Sequence, residues 1–198
     1  AAFLLLVGQA LLVYRSMIAR LDRDGREVGE LREQLQKLNN HDELTGVFNR
    51  HMFDSVIARE LGNVRRYGVA VTGIMFDVDD LKGVNEKIGY HRGDELLAYL
   101  ARYVLKRIRK TDYLFRWRGG KFIILAPNIG CANGGLLAEK LRQVMSHKLW
   151  DGELRMTISF GVAQADADDS ADSFVMRLQG MLTKSKKMGK NCVCLCDE

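Results

Sequence analysis

The spacing of apolar residues changes several times along the chain, and each change marks an element. Ala1 to Tyr14 is an apolar run interrupted only by Gly8 and Gln9, shorter than the roughly 20 apolar residues that a bilayer-spanning helix needs. Arg15 and Arg20 follow it, and positive charge beside an apolar run marks the cytoplasmic side. Residues 1–14 are therefore expected to be the end of a transmembrane helix that continues upstream, with a buried soluble helix as the alternative. A cleaved signal peptide fits less well, because the positive charge comes after the apolar stretch. From Arg15 to Asn40 the period becomes seven: Tyr14, Leu21, Val28 and Leu35 form one row, and Met17, Leu31 and Leu38 a second that Asp24 interrupts. Such an a/d seam is the pattern of a parallel coiled coil, so residues 15–40 are expected to form a signal helix that makes a homodimer, or else a helix folded back on its own domain.

Beyond Asn40, strand-like and helix-like stretches alternate. Met52 to Tyr67 places Phe53, Val56, Ile57 and Leu61 on one helical face. Val69 to Phe76 is a short apolar run suited to a buried strand. Asp94 to Arg109 predicts a second helix. Tyr113 to Trp117 and Lys121 to Ala126 predict two strands joined by a Gly-Gly turn. Ala132 to Lys148 reads as a helix, Arg155 to Gln164 as a strand and Ser173 to Met188 as a last helix. Alternation of this kind predicts an α/β (α+β) fold with a central sheet flanked by helices.

Composition narrows the function classes. A chain of 198 residues that is 47% hydrophobic can bury the core of one domain and leave a helix over. Its single proline argues against a long disordered linker. A formal charge of +5 suits contact with phosphates or an anionic membrane, but the basic residues are dispersed, and nucleic acid is not an expected partner. Cys131, Cys192, Cys194 and Cys196 lack the paired spacing of a zinc site, and the last three alternate as in a terminal strand, so reduced thiols are expected. None of the four histidines stands in a nucleophilic arrangement with serine or cysteine.

Four strings carry the strongest signal: His41-Asp42-Glu43-Leu44-Thr45-Gly46-Val47-Phe48-Asn49-Arg50, Phe76-Asp77-Val78-Asp79-Asp80-Leu81-Lys82-Gly83-Val84-Asn85-Glu86, Gly89-Tyr90-His91-Arg92-Gly93-Asp94 and Lys186-Lys187-Met188-Gly189-Lys190-Asn191. In order and spacing they resemble the landmarks of bacterial GGDEF (diguanylate cyclase) domains, over roughly Asn39 to Val193. The resemblance implies a ferredoxin-like nucleotidyl-cyclase palm over residues 41–193, followed by a tail at 194–198. It also implies a two-cation phosphoryl transfer joining two GTP molecules, with metal carboxylates at Asp77 and at the third and fourth positions of the hairpin signature. Here that signature reads Arg118-Gly119-Gly120-Lys121-Phe122, preceded by Arg116-Trp117, and those two positions are Gly120 and Lys121. Glycine offers no ligand. An ammonium near a dication is repelled by about 4 kcal/mol per pair of unit charges at an effective dielectric of 20. The expectations drawn from this are a degenerate turn (Arg118, Gly119, Gly120, Lys121), a vestigial Asp77, no metal or other cofactor, and no enzymatic activity. Arg118 in place of the signature's first glycine either obstructs a triphosphate or holds it by charge without metal. Tyr90 departs from the family as well, which usually has histidine after Gly89.

By the same resemblance Asn85 and Asp94 read a guanine edge, while Lys82, Lys186 and Lys190 contact phosphates. Arg109-Lys110-Thr111-Asp112 matches the family's RxxD site for cyclic di-GMP, and Lys140 falls where an auxiliary arginine often lies. The function expected from the sequence is that of a catalytically inactive, membrane-tethered cyclic di-GMP receptor at the inner (cytoplasmic) membrane, with its domain in the cytoplasm. Its expected output is a membrane-complex protein partner of the exopolysaccharide or secretion kind. A ligand-independent dimerisation scaffold and a GTP-binding sensor are the alternatives, and an active cyclase ranks last.

Overall fold

A computed structural model describes Tyr14, Arg15, Met17 and residues 40–150 and 154–195. The expected membrane-helix end and the expected signal helix lie almost wholly outside the described residues. Among the described residues no helix is long and apolar enough to cross a membrane. In chain order the elements are α1 (Arg50–Tyr67), β1 (Val71–Val78), α2 (Leu81–Ile88), α3 (Tyr90–Leu105), β2 (Tyr113–Arg118), β3 (Lys121–Pro127), α4 (Cys131–His147), β4 (Leu149–Trp150), β5 (Leu154–Arg155), β6 (Ile158–Gln164), α5 (Ala171–Lys187) and β7 (Val193–Leu195).

Strand β1 is buried along nearly all its length because it lies in the middle of a five-stranded sheet of order β2-β3-β1-β6-β7. It pairs antiparallel with β3 and β6, and β7 joins the far edge parallel to β6. Period-2 alternation sends Ile74 and Phe76 to one face and Met75 to the other. On the first face they meet Leu96, Leu97 and Leu100 of α3 and Ala138 and Leu141 of α4. On the second face lie Phe53, Ile57 and Leu61 of α1 and Phe174, Leu178 and Leu182 of α5. Each such buried side chain contributes about 1.5–3 kcal/mol. The sheet is thus covered on both faces, as the sequence predicts.

Local chemistry sets the helix ends. Asn49 caps α1 by accepting from the Met52 N–H at 2.9 Å, and Gly68 ends it in the left-handed region at φ 63°. Ser170 and Ser173 form a reciprocal capping box at the start of α5. Gly161 on β6 lets α5 come close, since a Cβ there would stand 2.2 Å from the Leu182 backbone nitrogen.

Two features differ from the sequence expectation. Helix α2 was not predicted, because Val84 is its one buried residue and so small an apolar contact leaves no periodic signal. The predicted strand Arg155 to Gln164 is interrupted: β5 ends at Arg155 and forms a ribbon with β4, and β6 starts at Ile158. The break at Met156 and Thr157 has a polar cause, for Thr157 turns its carbonyl to the Asp79 N–H at 2.9 Å and its hydroxyl to the Asp79 carboxylate at 2.8 Å.

Candidate functional site at the end of the central strand

Three phenylalanines form a row across the sheet, with Phe76 paired to Phe122 on β3 and to Phe160 on β6 at ring separations of 5.3 and 5.4 Å. One residue further along β1 the side chains reverse face, and the apolar row gives way to Asp77, paired with Lys121 and Ser159. That face is covered by α5, whose last turn carries Lys186. Lys186 Nζ donates to Asp77 Oδ2 at 2.6 Å. Lys121 is half-buried, and its ammonium is held below the ordinary lysine range, by burial above all. Asp77 opposes that shift, and Arg118 and Lys186 add to it. Lys121 thus feels one carboxylate, Asp77, and two further cations, Arg118 and Lys186.

The hairpin turn between β2 and β3 is closed by Gly119, at φ 53°, and by a buried Gly120. A Cβ on Gly120 would lie 2.9 Å from Leu81 Cδ2 and 3.2 Å from Asp77 Oδ1, so the turn sits directly on the end of β1. Arg116 holds it in place by donating from Nε and Nη2 to the Gly119 carbonyl, both at 3.2 Å, and from Nη1 to Asp42 at 3.0 Å. Asp42 also accepts from the Thr45 N–H at 2.9 Å and the Thr45 hydroxyl at 2.6 Å. Neither Asp42 nor Arg116 was given a role by the sequence; the one available signal was an acidic residue placed to accept from a threonine three positions on.

Asp79 is buried and wholly engaged, by the hydroxyls of Thr157 and Ser159 at 2.8 and 2.7 Å and by the Asn191 N–H at 3.0 Å. Its work is structural: it fastens the loop of Lys190 and Asn191, both at positive φ, to the end of β1. Asn85 presents a buried Oδ1 without a hydrogen-bond partner, lying against Gly93 so closely that a Cβ there would come within 1.9 Å. The structure thereby brings Asn85 beside the first turn of α3, where Asp94 is exposed. Lys82 is exposed and stands 3.8 Å from Glu86; Lys190 is exposed.

The segment Arg109 to Asp112 folds into a turn of its own. Asp112 Oδ2 accepts from the Arg109 N–H at 2.8 Å, and the Asp112 N–H donates to the Arg109 carbonyl at 3.0 Å. Asp112 Oδ1 is buried without a hydrogen-bond partner, and Arg109 is exposed. Lys140 lies on the exposed side of α4, and among the described residues no hydrogen bond or ion pair joins it to that turn.

A family model described as "Diguanylate cyclase, GGDEF domain" matches residues 39–192, which is most of the chain. The chain belongs to the GGDEF domain family of diguanylate cyclases. Diguanylate cyclase DgcM of Escherichia coli (strain K12) is 33% identical over 172 residues, covering 86% of this chain and 42% of that protein. The chain spans less than half the length of this relative. Among solved structures, the coiled coil and GGDEF domain of DgcB from Caulobacter crescentus, in complex with c-di-GMP, superposes with a TM-score of 0.77 at 26% identity. It covers 91% of this chain and all of that one. Diguanylate cyclase SiaD of Pseudomonas aeruginosa, in complex with its activator SiaC, gives a TM-score of 0.75 at 27% identity, covering 95% of this chain and 74% of that one.

Membership corrects one expectation. The sequence reading of the chain as a non-enzyme rested on Gly120 and Lys121, whereas the family is one of enzymes and the DgcM relative is named a diguanylate cyclase. The GGDEF family and the fold agree with the resemblance noted in the sequence.

Proposed function

We propose that this GGDEF domain binds cyclic di-GMP at the Arg109–Asp112 turn and serves as a ligand-responsive signalling module. The observation that carries this reading is the divided state of the Asp112 carboxylate. One oxygen fixes the turn through the Arg109 N–H, and the other is buried without a partner. An unpaired buried carboxylate oxygen costs several kcal/mol in desolvation unless a donor meets it, and a guanine N–H is such a donor. The exposed Arg109 guanidinium beside it supplies a planar fork for a phosphate or a guanine edge. The crystal structure of DgcB, similar over its whole length, holds c-di-GMP. In this proposal residues 1–14 tether the domain to the cytoplasmic membrane, and residues 15–40 pair two copies and pass the signal to a protein partner.

Titration calorimetry of the chain with cyclic di-GMP tests the binding step. Binding on the order of micromolar is expected, weakened at least about tenfold by Arg109→Ala. Asp112→Asn keeps an acceptor for the turn and removes the charge, and is expected to weaken binding with the fold intact. Silence of the unaltered protein toward cyclic di-GMP overturns the proposal.

A further inference from the structure

The end of β1 is where the family resemblance implies a divalent cation, and its donor set does not suit one. Hard cations take several oxygen ligands. Asp77 provides one carboxylate, already bonded by Lys186 at 2.6 Å; its cross-strand partner Lys121 is an ammonium, and Gly120 has no side chain. We infer that Arg118, Lys121 and Lys186 take the place of the cation and hold the phosphate chain of a nucleotide directly. The inference rests on the reading of this chain as a nucleotide-binding domain, but not on the Arg109 turn.

The charge balance supports it. Asp77 offsets one of three cations, so the cluster retains positive charge in a partly dehydrated place, where attraction for an anion is stronger than in bulk water. Burial works against the Lys121 charge, and an arriving phosphate relieves that penalty by pairing with it. Arg118 lies at the exposed side of the same turn, in register with Lys121, so a chain of phosphates can meet both. Arg116 takes no part, since its guanidinium is occupied by Gly119 and Asp42.

Calorimetric titration of the full chain with GTP and with inorganic tripolyphosphate, each in excess EDTA and in excess magnesium, decides the matter. Both are expected to bind in EDTA, and magnesium, which neutralises the phosphates beforehand, is expected to weaken binding. Lys121→Met is expected to weaken both ligands at least about tenfold, with Lys106→Met, at an exposed cation elsewhere, as the unaffected control. Should Lys121→Met lose its thermal unfolding transition, Arg118→Gln at its exposed position gives the same readout. Binding that requires magnesium, or survives both variants unchanged, overturns the inference. So does GTP binding in EDTA with tripolyphosphate silent, which assigns the affinity to the base. The cyclic di-GMP titration reads the Arg109 turn and these titrations read the end of β1, so this inference and the cyclic di-GMP site fail separately.

Discussion

Asp42 and Arg116, 74 positions apart, are joined by two hydrogen bonds of 3.0 and 3.2 Å, and the same guanidinium grips the carbonyl of Gly119. The segment leading into α1 is thereby bolted to the signature hairpin. The Arg116 and Asp42 side chains are largely withdrawn from solvent, at 15% and 23% exposure respectively, so the pair is screened less than a surface salt bridge. Arg116→Lys keeps the charge and loses the fork. We expect it to cost about 1–3 kcal/mol, seen as a lower urea midpoint with unchanged slope. Asp42→Asn, which still accepts from Thr45, is expected to cost less than Arg116→Lys.

Asp77 and Lys186 answer differently to removal. Lys186 is about a third exposed, so Lys186→Met forfeits only the modest worth of a screened pair, about 0.5–1 kcal/mol. Asp77→Ala leaves Lys121 half-buried among Arg118 and Lys186 with no anion, and is expected to cost more, about 1–3 kcal/mol. Added phosphate should restore part of the loss in the Asp77 variant and little in the Lys186 variant. Chemical denaturation with and without phosphate measures both; equal costs would show that the cluster is not held together by Asp77.

Much of the fold was legible because burial writes a period into the chain. Phe53, Val56, Ile57 and Leu61 announced α1, and the unbroken run at β1 announced a strand covered on both faces. The candidate site was legible in its residues and not in its connections. Asp77, Lys121 and Lys186 are drawn together by a strand register and a helix end that no local pattern encodes. Lys140 fell on a helix as expected, yet no periodicity could show which neighbours it would have. Helix α2 escaped because it buries Val84 and little else, and the interruption before β6 escaped because its cause, Asp79, lies 78 residues away from Thr157.

Close approach of α5 to β6 makes Gly161 the least replaceable small residue on the sheet. A methyl group there would meet the Leu182 nitrogen at 2.2 Å and the Leu178 carbonyl oxygen at 2.7 Å, and main chain cannot swing aside as a side chain can. Gly161→Ala must therefore push α5 outward, and is expected to cost about 3 kcal/mol or more by overpacking. Gly93→Ala is a contrast, because the obstacle is the Asn85 side-chain oxygen, which can rotate away. Its expected effect is a small change in thermal midpoint, well below that of Gly161→Ala.

Acid stability turns on Asp169, at the entrance to α5. Burial alone raises its carboxyl pKa, but the Asp166 N–H, the Ser173 hydroxyl and the Arg177 guanidinium outweigh burial and hold it below the ordinary aspartate range. In the unfolded chain the group titrates near 4, as an unperturbed aspartate does. Between that value and the lower folded one the unfolded state binds more protons, so stability rises with pH across the window. The contribution is present in full above about pH 4 and is lost as pH falls through the folded value. Asp169→Asn removes the titrating group, leaving an amide that accepts from fewer donors. The variant is expected to be less stable at pH 7 and to show a flatter acid limb, with its deficit shrinking toward pH 3. Urea unfolding of both proteins at a series of pH values measures this, and parallel acid limbs would refute the role given to Asp169.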